Sequence, residues 1–125
     1  KWVVDATREC FSHARKKGVR IAVEPLNRFE TYLFNRCAQA LALADAVSPD
    51  CGVCLDAYHL NMEETNVYDA IRLAGKRLFD FHIADNNRFA AGLGHLDWAK
   101  IVGTLREIGY DGALTNEFVA PVDRT

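Results

Sequence analysis

No apolar run in this chain approaches the roughly 20 residues that a membrane span needs, so no membrane partner is expected. No stretch is strongly basic either. The 125 residues carry 15 Lys and Arg against 17 Asp and Glu, a net charge of −2. That balance argues against a nucleic-acid surface. The one short basic cluster, Lys16, Lys17 and Arg20, sits near a predicted helix end, where cations suit the helix dipole. Neither a GxGxxG nor a P-loop motif is present, so the common phosphate-cradling loops are missing. No signal peptide is visible, and no linker or low-complexity stretch divides the chain. There are only four cysteines. Cys51 and Cys54 have CxxC spacing, but three residues along a strand they face opposite sides of the sheet. They read as buried thiols, and a reduced, cytoplasmic protein is the expectation. Lys1 stands where a predicted helix has already begun, so the chain is expected to be cut from something longer.

What is present is regular alternation. Half of the residues are hydrophobic, enough for a globular core. Trp2 to Lys17 reads as a helix with an apolar stripe of Trp2, Val3, Ala6, Cys10, Phe11 and Ala14, stopped by Gly18. A strand follows at Val19 to Glu24 and is closed by Pro25. Asn27 to Phe34 reads as a loop, and Asn35 as the cap of a helix over Arg36 to Val47. Cys51 to Asp56 is the second strand, and His59 to Thr65 a polar loop. Asn66 caps a helix that runs to Ala74 and ends at Gly75. The third strand spans Leu78 to Ile83. A long loop to Leu96 leads to Asp97, the cap of Trp98 to Ile108. The fourth strand is Ala113 to Phe118, with no helix after it. Alternation of this kind predicts a parallel sheet.

Each strand ends in a residue that can ligate a metal: Glu24, Asp56, His82 and Glu117. They recur at roughly the 30-residue length of a βαβ unit. Side chains at the C-terminal ends of successive parallel strands converge on one point, where α/β barrels keep their chemistry. If these four point inward, so do Ala22, Cys54, Asp80 and Thr115, and the apolar Val23, Leu55, Phe81 and Leu114 point outward to the helices. Ile21, Val53 and Phe79 join that outward set. Asp80 is either a satisfied polar group beneath the ligands or the sign of a shifted strand. A closed barrel takes eight strands and about 250 residues. The predicted fold is therefore the C-terminal half of a (β/α)8 barrel over residues 1–125, strands five to eight, lacking the last helix. An open doubly wound sheet is the alternative.

Three carboxylates and one imidazole, with no thiolate in position, form a hard ligand set. It favours one six-coordinate divalent ion, Mn²⁺ first, with Mg²⁺ or Co²⁺ as alternatives. Such an ion binds a carbonyl and a neighbouring hydroxyl as a Lewis acid. Two carboxylates on opposite sides can then remove and return a proton beside that carbonyl.

The stretches VEPLNRFETYLFN (Val23 to Asn35), LDAYHLNMEE (Leu55 to Glu64), FHIADNNR (Phe81 to Arg88) and NEF (Asn116 to Phe118) resemble the ketose 3-epimerases. These are the D-tagatose and D-psicose 3-epimerases of the xylose isomerase-like barrel superfamily. The resemblance covers nearly the whole chain. It implies a metal-dependent exchange of the C3 proton of a free ketose. It further implies that Glu24, Asp56, His82 and Glu117 hold the ion, with Glu24 and Glu117 as the acid/base pair. Glu30, His59 and Arg88 match positions that hold sugar hydroxyls and the carbonyl end. The loop from Arg88 to Trp98 is close to several sugar isomerase and epimerase branches, so the ketose stays open.

Other readings attach to single residues. Phe29, Tyr32 and Tyr58 read as a stacking wall or a cover for the barrel mouth, and Trp2 and Trp98 as packing residues. His95 reads as a loop-ordering residue, His13 as a solvated helix residue, and Arg88 has a surface pairing with Asp85 as its alternative. Two further functional readings remain: a metal-dependent endonuclease-like phosphodiesterase, and a non-catalytic half-barrel that keeps a metal site. The expected partners are a sugar and either a second copy or the missing half-barrel.

Overall fold

The computed structural model describes residues 1–119. The expected absence of a helix at the chain's end concerns residues outside that range. The elements run α1 (Trp2–Arg15), β1 (Ala22–Val23), α2 (Cys37–Val47), β2 (Gly52–Asp56), α3 (Ala57–Glu63), α4 (Val67–Ala74), a 3₁₀ turn (Gly75–Arg77), β3 (Leu78–Ile83), α5 (Trp98–Glu107) and β4 (Ala113–Asn116). The four strands form one sheet in the order β1-β2-β3-β4, every pair parallel. Successive parallel strands joined by helices on one face are the repeating unit of a barrel wall. Among the described residues no helix is long and apolar enough to cross a membrane.

The alternation of the strands sets the core. Val53, Leu55 and Phe81 are fully buried and pack with Ile71 of α4 and Ile101 of α5. Leu114 has the same parity but is 48% exposed at the β4 edge. Helices start and stop largely where local chemistry predicts. Asn66 Oδ1 accepts the Tyr68 and Asp69 N–H groups, and Asp97 caps α5 through Lys100 N–H. Gly18 (φ 69°) and Gly75 (φ 50°) supply the positive φ where the chain leaves α1 and α4.

Several expectations are corrected. The inner face of α1 is Val3, Val4, Thr7, Phe11 and Ala14, whose spacing follows the 3.6-residue period. Trp2 is 87% exposed, and Ala6 and Cys10 are exposed, so none of the three packs inward. Asn35 does not cap α2. Its amide donates to the Leu26 and Thr31 carbonyls, and Gln39 Oε1 accepts the Asn35 and Arg36 N–H groups just ahead of the helix while Glu64 Oε1 accepts that of Cys37, its first residue. The segment read as a polar loop after β2 is mostly helix α3, begun by Asp56 Oδ1 accepting from Tyr58 N–H at 2.8 Å.

The third strand is shifted. Val53 pairs with Leu78 but Cys54 pairs with Asp80, so Phe79 is an extra residue in a bulge. Leu78 takes the outward apolar place assigned to Phe79. The Phe79 ring instead lies over Gly52, where a Cβ would sit 2.3 Å from it, and beneath the Arg20 guanidinium, 4.6 Å from the ring centre. The bulge keeps Asp80 and His82 on the inner face beside Cys54 and Asp56. Asp80 is also a satisfied polar group, accepting from Thr115 Oγ1 at 2.8 and 2.9 Å and from Phe81 N–H. Both readings of that residue hold together.

Candidate metal centre

Glu24 follows β1, Asp56 ends β2, His82 is the penultimate residue of β3 and Glu117 follows β4. One ligand atom from each lies within 4.8 Å of the other three. His82 Nδ1 is the hub, 2.7 Å from Glu117 Oε2, 3.3 Å from Glu24 Oε1 and 3.7 Å from Asp56 Oδ2. The pairing register explains the convergence: Asp56 aligns with His82, and His82 with Thr115, so all share the inner face. Asp56 does two jobs, its Oδ1 capping α3 and its Oδ2 facing the cluster.

The electrostatics are those of a site that wants a cation. The neighbouring Asp56 carboxylate, then Cys54 and the Glu24 carboxylate, push the His82 imidazole far above its ordinary value. Burial pushes the Asp56 carboxyl up, but the neighbouring His82 and the hydrogen bond from Arg88 outweigh it and hold the group lowered. Glu24 Oε1 is buried and accepts no hydrogen bond from the described residues, His82 Nδ1 being an ion-pair neighbour at 3.3 Å. A buried carboxylate oxygen without a donor is costly, and an ion would satisfy it. The residues therefore fit a divalent cation, which must displace the proton that His82 holds. A sulfur is also near, since Cys54 Sγ groups with Glu24 and His82. Burial pushes the Cys54 thiol up, so it stays a thiol and the hard character of the set is kept.

His82 Nε2 lies 3.6 Å from Asp80 Oδ2, an ion-pair distance too long for a hydrogen bond. Asp80 is held in place by Thr115, so a fixed negative charge stands behind the imidazole. Such a partner steadies ring orientation in metal sites.

The three other predicted site residues surround this cluster. Arg88 bridges two of its carboxylates, Nη1 to Asp56 Oδ2 at 2.5 Å and Nη2 to Glu117 Oε2 at 2.9 Å. Its guanidinium also stacks on Tyr58, 4.7 Å from the ring centre. It does not pair with Asp85 on the surface. Arg88 adopts φ 64°, a left-handed backbone that non-glycine residues rarely take, and such strain concentrates at functional sites. His59 lies in α3, buried, and meets Tyr58 edge-on. Glu30 is exposed and tied to His59 through Asn27. Phe29 and Tyr32, 83% and 93% exposed, stack on nothing in the described chain.

Asp85 carries more of the site than its place in the sequence suggested. It is fully buried. Oδ1 accepts from Asn86 and Leu96 N–H; Oδ2 accepts from Gly92 N–H and Trp98 Nε1–H. Trp98 is thus a packing residue with a polar anchor. His95 N–H bonds Asn86 Oδ1, in keeping with a loop-ordering place. The main chain of Asp85 bonds Phe89 and Arg88. The whole loop that aims Arg88 is therefore wound on one carboxylate. Burial alone would raise this carboxyl, yet the bonds from Trp98, Leu96, Asn86 and Gly92 hold it far below the usual range. Its stabilising effect is present above the unfolded carboxyl pKa of about 3.9 and is lost as pH falls. Asp85→Ala strands four donors, and the complete protein should lose about 3 kcal/mol in urea unfolding. Asp85→Asn keeps one accepting oxygen and should lose less. Equal stability for all three proteins would contradict this account.

Asp85 and Asn27 were not legible as site residues. Asp85 touches partners only across its own loop, and Asn27 reaches His59 from 32 positions away. The short-range polar pattern marks only loops.

Comparison with known proteins agrees with this geometry. Residues 1–124 match the family described as the xylose isomerase-like TIM barrel. D-psicose 3-epimerase of Enterocloster bolteae is 42% identical over 111 residues, covering 88% of this chain and 37% of that protein. L-ribulose 3-epimerase of a Methylomonas species is 36% identical, covering 91% of this chain and 40% of its own length. A crystal structure of D-psicose 3-epimerase in the presence of D-fructose superposes with a TM-score of 0.90 at 35% identity, over 95% of this chain and 42% of that one. The chain thus spans about two fifths of the relatives it matches. A sheet of four parallel strands is part of such a barrel, not an open doubly wound sheet, and the chain belongs to the xylose isomerase-like TIM barrel family.

Proposed function

We propose that the protein carrying this chain is a metal-dependent ketose 3-epimerase, to which these residues contribute strands five to eight. The observation that carries the reading is the meeting of Glu24, Asp56, His82 and Glu117 on one face at the strand ends. The ketose 3-epimerases among its relatives support it. A divalent ion held by these four, Mn²⁺ before Mg²⁺ or Co²⁺, would polarise the ketose carbonyl and its neighbouring hydroxyl.

The chain's own groups then move the proton. Glu24 and Glu117 come from the two outer strands, β1 and β4, so they flank the cluster from opposite sides. One carboxylate takes the proton from C3. The C–H electron pair passes toward the C2 carbonyl and gives an enediolate. The other carboxylate delivers a proton to the opposite face of C3, which inverts that centre. Arg88 and His59 provide N–H donors to sugar oxygens, and Glu30 accepts from a hydroxyl. The endonuclease-like alternative is less well served. His82 is the single histidine of the cluster, and His13 and His95 are exposed elsewhere.

The test is incubation of the complete, Mn²⁺-loaded protein with ketohexoses and ketopentoses in D₂O. Deuterium should appear at C3 together with the C3 epimer. No incorporation from any ketose would end this reading. Glu30→Ala, His59→Ala and Arg88→Ala should each lower kcat/KM by about tenfold or more while the ion stays bound. Unchanged kcat/KM in all three would remove them from sugar binding.

A further inference from the structure

Asn27 is 1% exposed, directly beyond Pro25 and Leu26 on the loop that follows β1. Its orientation is fixed by its neighbours. Oδ1 accepts the Phe29 N–H at 2.9 Å, closing a turn of the kind asparagine favours. Nδ2 is therefore the atom that lies 2.8 Å from Glu30 Oε1 and 2.8 Å from His59 Nδ1. The backbone N–H of Asn27 also points at His59 Nδ1, at 3.2 Å. A main-chain N–H can only donate. His59 Nδ1 must then accept, and the neutral imidazole carries its proton on Nε2. That Nε2 is buried, and no described residue bonds it. His59 as a whole is 1% exposed, so solvent does not serve it freely. A buried donor left open in a native fold marks a place where an acceptor is meant to arrive.

We propose that Asn27 is a positioning residue that locks His59 in its Nε2–H tautomer and couples it to Glu30. The pair then meets a polyol as a unit, with one fixed N–H donor and one carboxylate acceptor on adjoining oxygens. The identity of the ligand rests on the sugar reading above; the tautomer does not. Asn27 itself touches no reacting atom and acts through its two neighbours. The loop that carries it is clamped independently, since Arg28 binds Glu63 through Nε, Nη2 and its backbone N–H.

Two measurements on the complete protein, loaded with diamagnetic Mg²⁺, test the proposal. The first is ¹⁵N NMR of the histidine rings, with His59 assigned by loss of its signals in His59→Gln. The expected result is a protonated Nε2 and a bare Nδ1; a protonated Nδ1 in the wild type overturns the proposal. The second uses Asn27→Asp, which keeps the size but turns an oxygen toward Nδ1 and toward Glu30. His59 should gain a proton on Nδ1, and kcat/KM should fall about tenfold, carried mainly by KM. In a His59→Gln background the same substitution should have at most a small further effect, because the coupling has been removed. An unchanged tautomer with unchanged kcat/KM, or losses that simply add, overturns the proposal. If Asn27→Asp does not fold, Asn27→Ser and the wild-type spectrum decide. A wild type with the Nε2–H tautomer that turns over no ketose would sink the sugar reading and leave the tautomer assignment standing.

Discussion

Glu24→Gln and Glu117→Gln, made separately in the complete enzyme, should each slow epimerisation by about 10²–10⁴-fold. Glutamine keeps the shape of the side chain and an oxygen that can face the ion, but it cannot take a proton from carbon. Two losses are needed because inversion at C3 uses both faces of the sugar, and one carboxylate serves each face. The structure gives the two groups different surroundings. Glu24 Oε1 is buried and receives no hydrogen bond among the described residues. Glu117 Oε2 is 2.7 Å from His82 Nδ1 and 2.9 Å from Arg88 Nη2. The Glu24 oxygen, with no donor to satisfy it, has more to gain from an ion, so Glu24→Gln should also weaken metal affinity. Metal content measured beside turnover separates the two contributions. Wild-type rates of C3 proton exchange with solvent in both variants would remove these carboxylates from the mechanism.

The parts of this site that a reader of the sequence can find are those with a period. Strand parity places Asp56, His82 and Thr115 on one face, and the pairing register bears that out. Caps with a local partner, such as Asn66 and Asp97, are legible because the donor they satisfy lies two or three residues away. What escapes is non-local or doubly used. The bulge at Phe79 follows from the space above Gly52, which no reading of β3 alone contains. Helix α3 is hidden because Asp56, read as a strand-end ligand, is also its N-cap, and the Tyr-His-Leu-Asn-Met-Glu run that follows is too short to show a face. Asn35 looks like a cap and is spent on tying down the Leu26 and Thr31 carbonyls. The stripe read on α1 shares Val3, Phe11 and Ala14 with the observed inner face, while Trp2, Ala6 and Cys10 are exposed and Val4 and Thr7 take their place.

The 125-residue chain by itself should not sediment as a compact monomer of 14.0 kDa. Among the described residues its sheet has two open edges, since β1 pairs only with β2 and β4 only with β3. An open edge offers a row of unpaired backbone N–H and C=O groups to any other strand. Val19, beside β1, is 57% exposed, and at the other edge Leu114 is 48% and Val119 56% exposed. The inner face carries a dense group of carboxylates at its top that would be better shielded inside a closed wall. Two copies supply the eight strands of a barrel, and pairing edge to edge also covers the exposed apolar residues. The expected sedimentation species is therefore a dimer or larger, at any concentration where the sheet is intact. Placing a charge at each edge, as in Val19→Lys ahead of β1 with Leu114→Lys in β4, should shift the population toward monomer, because lysine at a sheet edge opposes pairing. A soluble, well-folded monomer from the unaltered chain would show that the four-stranded sheet closes its own edges, and the argument for a missing half would fall with it.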